Sequence, residues 1–191
     1  YGGYLTGYPP LQTGNLETTT WMPLILLLMR RIAIGGGWPA VGGVAAVLSV
    51  AFFAGHPQTF LLVAYLSIAY FVFRGRLAGR RWVWILGRMA IAFGLVTLMA
   101  SVQLLPQVQF LHVSTRTLLP FDQLAHGFVL QDLAQLLVTQ LGRNDIWQPL
   151  YVGIVGLSLV VLAVPLRRDA VSRVWLMVAL VALLLTFGGN M

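Results

Sequence analysis

The polar side chains that could bind a ligand stand at the ends of long apolar runs. Six of them share this position: Asn15, Glu17, His56, Gln58, Gln103 and Gln107. Amide and imidazole groups form hydrogen bonds with hydroxyls and phosphate oxygens. If the apolar runs are helices packed in a bundle, one end of each can open on a shared vestibule. The pattern therefore predicts a binding site for a polar head group, and it identifies no catalytic residue.

A purely structural role is the alternative for each of these residues. His56 stands beside a tight turn and could cap the helix that follows. Gln103 could form a hydrogen bond between two helices. Glu17 could be solvated near a surface, where a carboxylate costs less than at the centre of a bilayer. The sequence leaves both interpretations open at each position.

Metal and covalent chemistry have little support in the sequence. His56, His112 and His126 lack ligand spacing and stand beside no pair of acids. The chain has no Cys and no Lys, which excludes thiolate ligands, disulfides and a Schiff-base lysine. We therefore predict no metal site among these residues.

The composition is that of a membrane protein. Apolar residues make up 59% of the 191 residues and charged residues 9%, compared with about 25% charged residues in soluble domains. The mean hydropathy is +0.85. The net charge of +7 does not form a basic stripe with interleaved aromatics on a polar domain, so we predict membrane lipids and no nucleic acid as partners.

The apolar runs predict an all-α fold, a single polytopic bundle of about six transmembrane helices over residues 1–191. A spanning helix needs about 20 mostly apolar residues. The predicted spans are 11–30, 37–54, 58–74, 82–105, 150–166 and 173–187. The first has a polar outer half, which must face protein or water. Leucines at helical spacing predict an amphipathic helix over 129–141, within an outer loop at 106–149.

Arginine placement predicts the orientation of these spans. Ten of the twelve Arg fall in alternate connections or close to them: Arg30, Arg31, Arg74, Arg76, Arg80, Arg81, Arg88, Arg167, Arg168 and Arg173. Basic connections face the cytoplasm. We therefore predict a multi-pass protein of the plasma (inner) membrane with both ends of this segment on the outer side. Arg88 lies about two turns inside a span, where we expect it to reach the inner head groups by snorkelling; a buried partner is the alternative.

Five short motifs resemble those of the bacterial YfhO-like membrane proteins. The most specific is Gly55-His56-Pro57-Gln58 between two spans. The others, in the order and spacing of the family, are Trp21-Met22-Pro23-Leu24, Gln103-Leu104-Leu105-Pro106, Pro149-Leu150-Tyr151-Val152-Gly153 and Phe187-Gly188-Gly189-Asn190. That family is similar to the GT-C glycosyltransferases.

The resemblance implies sugar transfer at the outer face from a polyprenyl-phosphate-linked donor. Such enzymes carry an acidic catalytic residue in their first outer loop, in some cases with a divalent metal. This chain resembles the middle of such a protein, with that loop before Tyr1, so the catalytic acid has no counterpart here. We expect Glu17, His56 and Gln58 to line a donor or acceptor pocket.

Two other functions fit the same pattern. An outward-facing polar vestibule also suits a lipid or solute transporter, which would need polar residues at mid-membrane, and few are present. A non-catalytic subunit that scaffolds a larger membrane complex is the third function, and it fits the missing acidic loop.

Overall fold

The computed structural model describes residues 13–113, 127–138, 151–166 and 169–188. Within these ranges the chain forms helices and turns and no strand, which confirms the all-helical prediction. The chain divides into two compact units. One is Pro10–Ser114, and the other comprises Tyr1–Pro9 together with Thr115–Met191.

The unit Pro10–Ser114 contains five described helices, which follow four of the predicted spans. They are α1 (Thr13–Thr20), α2 (Met22–Ala33), α3 (Trp38–Phe53), α4 (Pro57–Leu77) and α5 (Trp82–Val113). A glycine with positive φ lies in three of the connections between them. Gly35, Gly55 and Gly79 adopt φ angles of +112°, +87° and +71°, a backbone region in which an L side chain is strained.

The first predicted span is two helices. α1 and α2 meet at Trp21, and Pro23 occupies the first turn of α2. Proline is tolerated there because its missing N–H would have no partner inside the helix. The predicted single helix over 11–30 is therefore wrong in its continuity, although its polar half (α1) and apolar half (α2) are those expected.

α3 is the central helix of this unit. It packs against α2 and α5, and small residues allow the close approach: Ala40, Val41, Val44, Ala45 and Ala51 are all buried. α2 contributes Ile25, Met29 and Ile32, spaced four and three residues apart on one helical face. The core therefore lies between α2, α3 and α5, with Phe71 of α4 joining it.

The contact between α4 and α5 depends on Gly75. A Cβ at this position would lie 3.0 Å from two side-chain carbons of Ile85, which is itself fully buried. We expect Gly75→Leu to lower the free energy of unfolding by about 1–3 kcal/mol through overpacking. The measurement is thermal unfolding in detergent, followed by tryptophan fluorescence.

Gly87 provides the matched control for Gly75. It lies on α5 with no atom within 4 Å of the position a Cβ would take. Gly87→Leu should therefore leave stability unchanged or raise it, because leucine favours a helix by up to about 1 kcal/mol over glycine. Equal melting temperatures for the two variants would contradict this packing.

α5 is longer than the sequence predicts. The predicted span ends at residue 105, but the helix continues through Pro106 to Val113. Proline removes one backbone hydrogen bond from a helix interior, yet its φ is compatible with helical backbone, and apolar residues such as Val108 and Phe110 continue the run. Pro106 therefore does not mark the end of the helix.

The second unit contains two described α-helices and a 3-10 helix. These are α6 (Ile154–Leu166), α7 (Ala170–Leu185) and the 3-10 helix Leu130–Leu136. Asp169 caps α7 by accepting from the N–H and the hydroxyl of Ser172, at 3.2 and 2.7 Å. The N–H of Phe128 donates to the carbonyl of Thr186 at the other end of α7, at 2.9 Å.

The predicted amphipathic α-helix over 129–141 is wrong in type, because its described part forms the 3-10 helix Leu130–Leu136. Three residues per turn align Asp132 with Gln135, and both are buried, whereas Leu130 and Leu137 are 75% and 56% exposed. The Asp132 carboxylate accepts from the N–H of Val129 at 2.9 Å and from the Gln135 amide at 3.3 Å. These hydrogen bonds compensate for burying the polar face.

The rest of the predicted outer loop, residues 114–126 and 139–150, lies outside the described residues.

Among the described residues, two helices are long and apolar enough to cross a membrane: α4 and the Trp82–Phe110 part of α5. Three shorter helices are also apolar: Trp38–Phe53, Ile154–Val164 and Ala170–Leu185. Large apolar side chains on the two long helices are exposed, among them Leu62 at 63%, Leu98 at 72% and Val102 at 81%. These surfaces suit a lipid environment better than water.

Candidate functional site

The unit Pro10–Ser114 has two chemically different ends. At one end, Arg80 Nε donates to the carbonyl of Ala33 at 3.2 Å, which brings the start of α5 to the end of α2. At the other end, the Cβ position of Gly14 lies 3.1 Å from the carbonyl of Ala54 and 3.8 Å from His56. We call these the arginine end and the His56 end. α4 connects them with 21 residues, about 30 Å of helix.

The turn at the His56 end is built by the most specific sequence motif. Gly55 supplies the positive φ, His56 is the N-cap residue of α4, and Pro57 begins the helix. The His56 ring accepts from the N–H of Thr59 at 3.2 Å through Nδ1. The capping role considered for His56 is therefore confirmed, and it uses only one of the two ring nitrogens.

A hydrogen-bond network joins this cap to α1. The hydroxyl of Thr59 lies 2.6 Å from Asn15 Oδ1 and 2.7 Å from His56 Nδ1. Asn15 is 44 residues away in the chain and is buried, whereas His56 and Thr59 are half-buried. We name Asn15, His56 and Thr59 the cap network. It fixes the position of α1 against the start of α4.

The donors in the cap network determine where the His56 proton lies. A backbone N–H only donates, so Nδ1 must accept from Thr59 and the neutral ring carries its proton on Nε2. The single hydroxyl proton of Thr59 goes either to Asn15 or to His56 at any moment. The hydrogen bonds that hold the ring use Nδ1 and not Nε2. The Nε2–H group can therefore donate a hydrogen bond to an oxygen atom of a ligand.

The other predicted site residues of α1 and α4 are exposed. Glu17 lies two residues after Asn15, a spacing that places two side chains on different faces of a helix. Gln58 lies in the first turn of α4 beside His56. The structure therefore joins Asn15 and His56 directly, and it leaves Glu17 and Gln58 at the surface of the same helices.

Gln103 and Gln107 lie one turn apart on α5, and both are half-buried. Neither takes part in the described hydrogen bonds of the cap network. The ring of His112 lies outside the described side chains. Thr59, in contrast, was missed by the sequence analysis, because His56-x-x-Thr59 does not match the Ser/Thr-x-x-Glu/Gln pattern of a capping box.

The guanidinium group of Arg88 packs on aromatic rings, and no described acid pairs with it. Its guanidinium carbon lies 3.9 Å from the ring centre of Trp38 and 5.6 Å from that of Trp84. Cation–π contacts at such distances contribute about 0.5–2 kcal/mol each. The partner foreseen as an alternative for Arg88 is therefore aromatic.

Within the described ranges, no three His, Asp or Glu side chains lie together in a way that could hold a metal ion. Comparison with protein-family models, with curated proteins and with solved structures finds no match.

Proposed function

We propose that the chain belongs to a multi-pass membrane glycosyltransferase of the GT-C kind, which transfers sugar from a polyprenyl-phosphate donor at the outer face. In this proposal α1–α2, α3, α4, α5, α6 and α7 supply six membrane crossings. The arginine end faces the cytoplasm, and the His56 end faces outward in the plasma membrane. The cap network then lies where the donor head group enters.

The observation that carries the proposal is the cap network at the end of the unit remote from the arginines. A ligand oxygen can accept from His56 Nε2–H, while Nδ1 accepts from the backbone N–H of Thr59 and the Thr59 hydroxyl links the ring to Asn15. The N-terminus of α4 lies behind His56 and favours an anion. This combination suits the phosphate of a lipid-linked sugar better than it suits a neutral solute.

The described polar residues favour transfer over transport. Ser49 and Ser67 are buried within α3 and α4, but each hydroxyl donates to a carbonyl of its own helix: Ala45 at 2.8 Å and Val63 at 2.6 Å. They therefore offer no polar path along these helices. A non-catalytic subunit would share the topology and would lack transfer activity.

The assay is sugar transfer by the full-length protein in membrane vesicles supplied with radiolabelled polyprenyl-phosphate hexoses. Transfer above that of vesicles lacking the protein is the expected result. The contrary result is sugar transfer no greater than background with every hexose donor. Such a result, combined with co-purification in a fixed ratio with other membrane proteins, would favour the subunit function instead.

Thr59→Val tests the cap network in the same assay. The variant keeps the backbone N–H that His56 caps and removes the hydroxyl that links the ring to Asn15. We expect kcat/KM to fall about tenfold, which corresponds to about 1.4 kcal/mol lost from a hydrogen-bonded position.

Thr97→Val is the matched control for Thr59→Val. The Thr97 hydroxyl is exposed and donates within α5 to the carbonyl of Phe93 at 3.0 Å. This variant should retain kcat/KM within about twofold. An equal loss in both variants would show that Thr59 acts only through helix stability.

A further inference from the structure

The arginine end of the unit Pro10–Ser114 carries a positive charge that the unit itself does not balance. Seven arginines lie there: Arg30, Arg31, Arg74, Arg76, Arg80, Arg81 and Arg88. The only acidic residue in the sequence of this unit is Glu17, which lies on α1 at the opposite end. An external anion is therefore the natural counter-charge.

Aromatic rings hold two of these guanidinium groups together. Arg80 and Arg88 both lie over Trp84, at 4.8 and 5.6 Å from its ring centre, and Arg88 also stacks on Trp38. Like charges held this close raise the local positive potential. The Nε of Arg74 and the Nη1 of Arg88 are buried without a hydrogen-bond partner among the described residues.

A cavity of about 230 Å³ lies at the same end of the unit. Arg31 lines it together with Leu28, Gly36, Gly37, Pro39 and Ala40. Gly37 is the N-cap of α3, so the positive end of that helix dipole faces the same region. The cavity thus combines one guanidinium group with apolar walls.

Exposed apolar residues flank the cavity lining in the chain. Trp38 lies between the lining residues Gly37 and Pro39 and is 59% exposed, and Ile34 lies two residues before Gly36 and is 60% exposed. Free phosphate gains no binding free energy from exposed apolar side chains, whereas an acyl chain that packs on them removes them from water. Basic pockets between membrane helices on the cytoplasmic side bind anionic lipid head groups.

We propose that this cavity binds the phosphodiester of an anionic phospholipid, with Arg31 on the phosphate, Arg80 and Arg88 raising the local potential, and the acyl chains along Ile34 and Trp38. The inference rests on the membrane placement and not on the transferase activity, since the cavity lies at the end opposite the cap network. Failure of sugar transfer would therefore leave it standing.

The experiment is native mass spectrometry of the purified full-length protein in detergent, titrated with phosphatidylglycerol, phosphatidylcholine or inorganic phosphate. Phosphatidylglycerol should bind more tightly than phosphatidylcholine. Arg31→Gln should weaken phosphatidylglycerol about fivefold, the contribution of one arginine near an anionic lipid. Arg30→Gln removes the same charge from the neighbouring position, which does not line the cavity, and should change binding less than about twofold.

Three results would overturn the proposal. Equal binding of the two phospholipids would show that affinity does not depend on the charge of the head group. Equal weakening by Arg30→Gln and Arg31→Gln would show a diffuse charge effect instead of a site. Displacement of phosphatidylglycerol by inorganic phosphate at an equal concentration would identify a free-anion site. Arg31 is exposed, so a melting curve without lipid should match that of the unchanged protein and exclude misfolding.

Discussion

A cysteine at position 58 should react with a membrane-impermeant maleimide in intact cells, and one at position 78 should not. Gln58 and Ala78 are both exposed and lie at opposite ends of α4. Because the chain has no Cys of its own, each single variant reports one position. We expect labelling of Gln58→Cys to exceed that of Ala78→Cys by at least about tenfold, since arginine-rich connections stay in the cytoplasm.

The physical reason for this difference is the cost of moving guanidinium groups across a bilayer. Arg74 and Arg76 lie in the last turn of α4 and Arg80 and Arg81 follow it, and each costs about 2.5–3.5 kcal/mol at the centre of a bilayer. Once cells are permeabilised, both cysteines should react equally. Equal labelling in intact cells would show that α4 does not cross the membrane, and preferential labelling of position 78 would place the arginine end outside.

The helices could be predicted because local sequence marks their boundaries: an apolar run ends at glycine, proline or a group of arginines. Apolar runs ending at Gly55 with Pro57, or at the Arg74–Arg81 cluster, give α3 and α4 within a few residues. The end of α5 is different, because the predicted span stops at residue 105, just before Pro106. In the structure the helix passes through Pro106, since the loss of one hydrogen bond is outweighed by the regular helix on both sides.

The 3-10 helix Leu130–Leu136 shows where periodicity fails. Leucines at α-helical spacing predict an amphipathic α-helix, but a shift to three residues per turn aligns Asp132 with Gln135. The hydrogen bonds of the Asp132 carboxylate then make the polar face the buried one. Seven residues are too few for spacing to separate the two helix types.

The candidate site was predicted in part. Asn15 and His56 could be proposed because both end an apolar run, and they do meet. The hydroxyl that joins them belongs to Thr59, which in the sequence is one of several threonines without a distinguishing neighbour. The contact bridges 44 residues, and no local pattern encodes it. The stacking of Arg88 on Trp38 is long-range in the same way.

His56→Asn should separate the two roles of the residue at the start of α4. Asparagine is a good N-cap residue, so the helix start should be retained with a stability change below about 1 kcal/mol. Its amide does not reproduce a donor at the position of Nε2. We expect kcat/KM for transfer from a polyprenyl-phosphate sugar to fall about tenfold to a hundredfold, the loss of one hydrogen bond to a charged phosphate.

The direct test of the proposed outward-facing phosphate site is therefore kcat/KM of His56→Asn beside its melting temperature, in the full-length protein. A melting temperature close to that of the unchanged protein, with kcat/KM reduced at least about tenfold, is the expected result. Unchanged transfer by a stable His56→Asn variant would show that His56 only caps α4, and the proposed donor site would be lost with it.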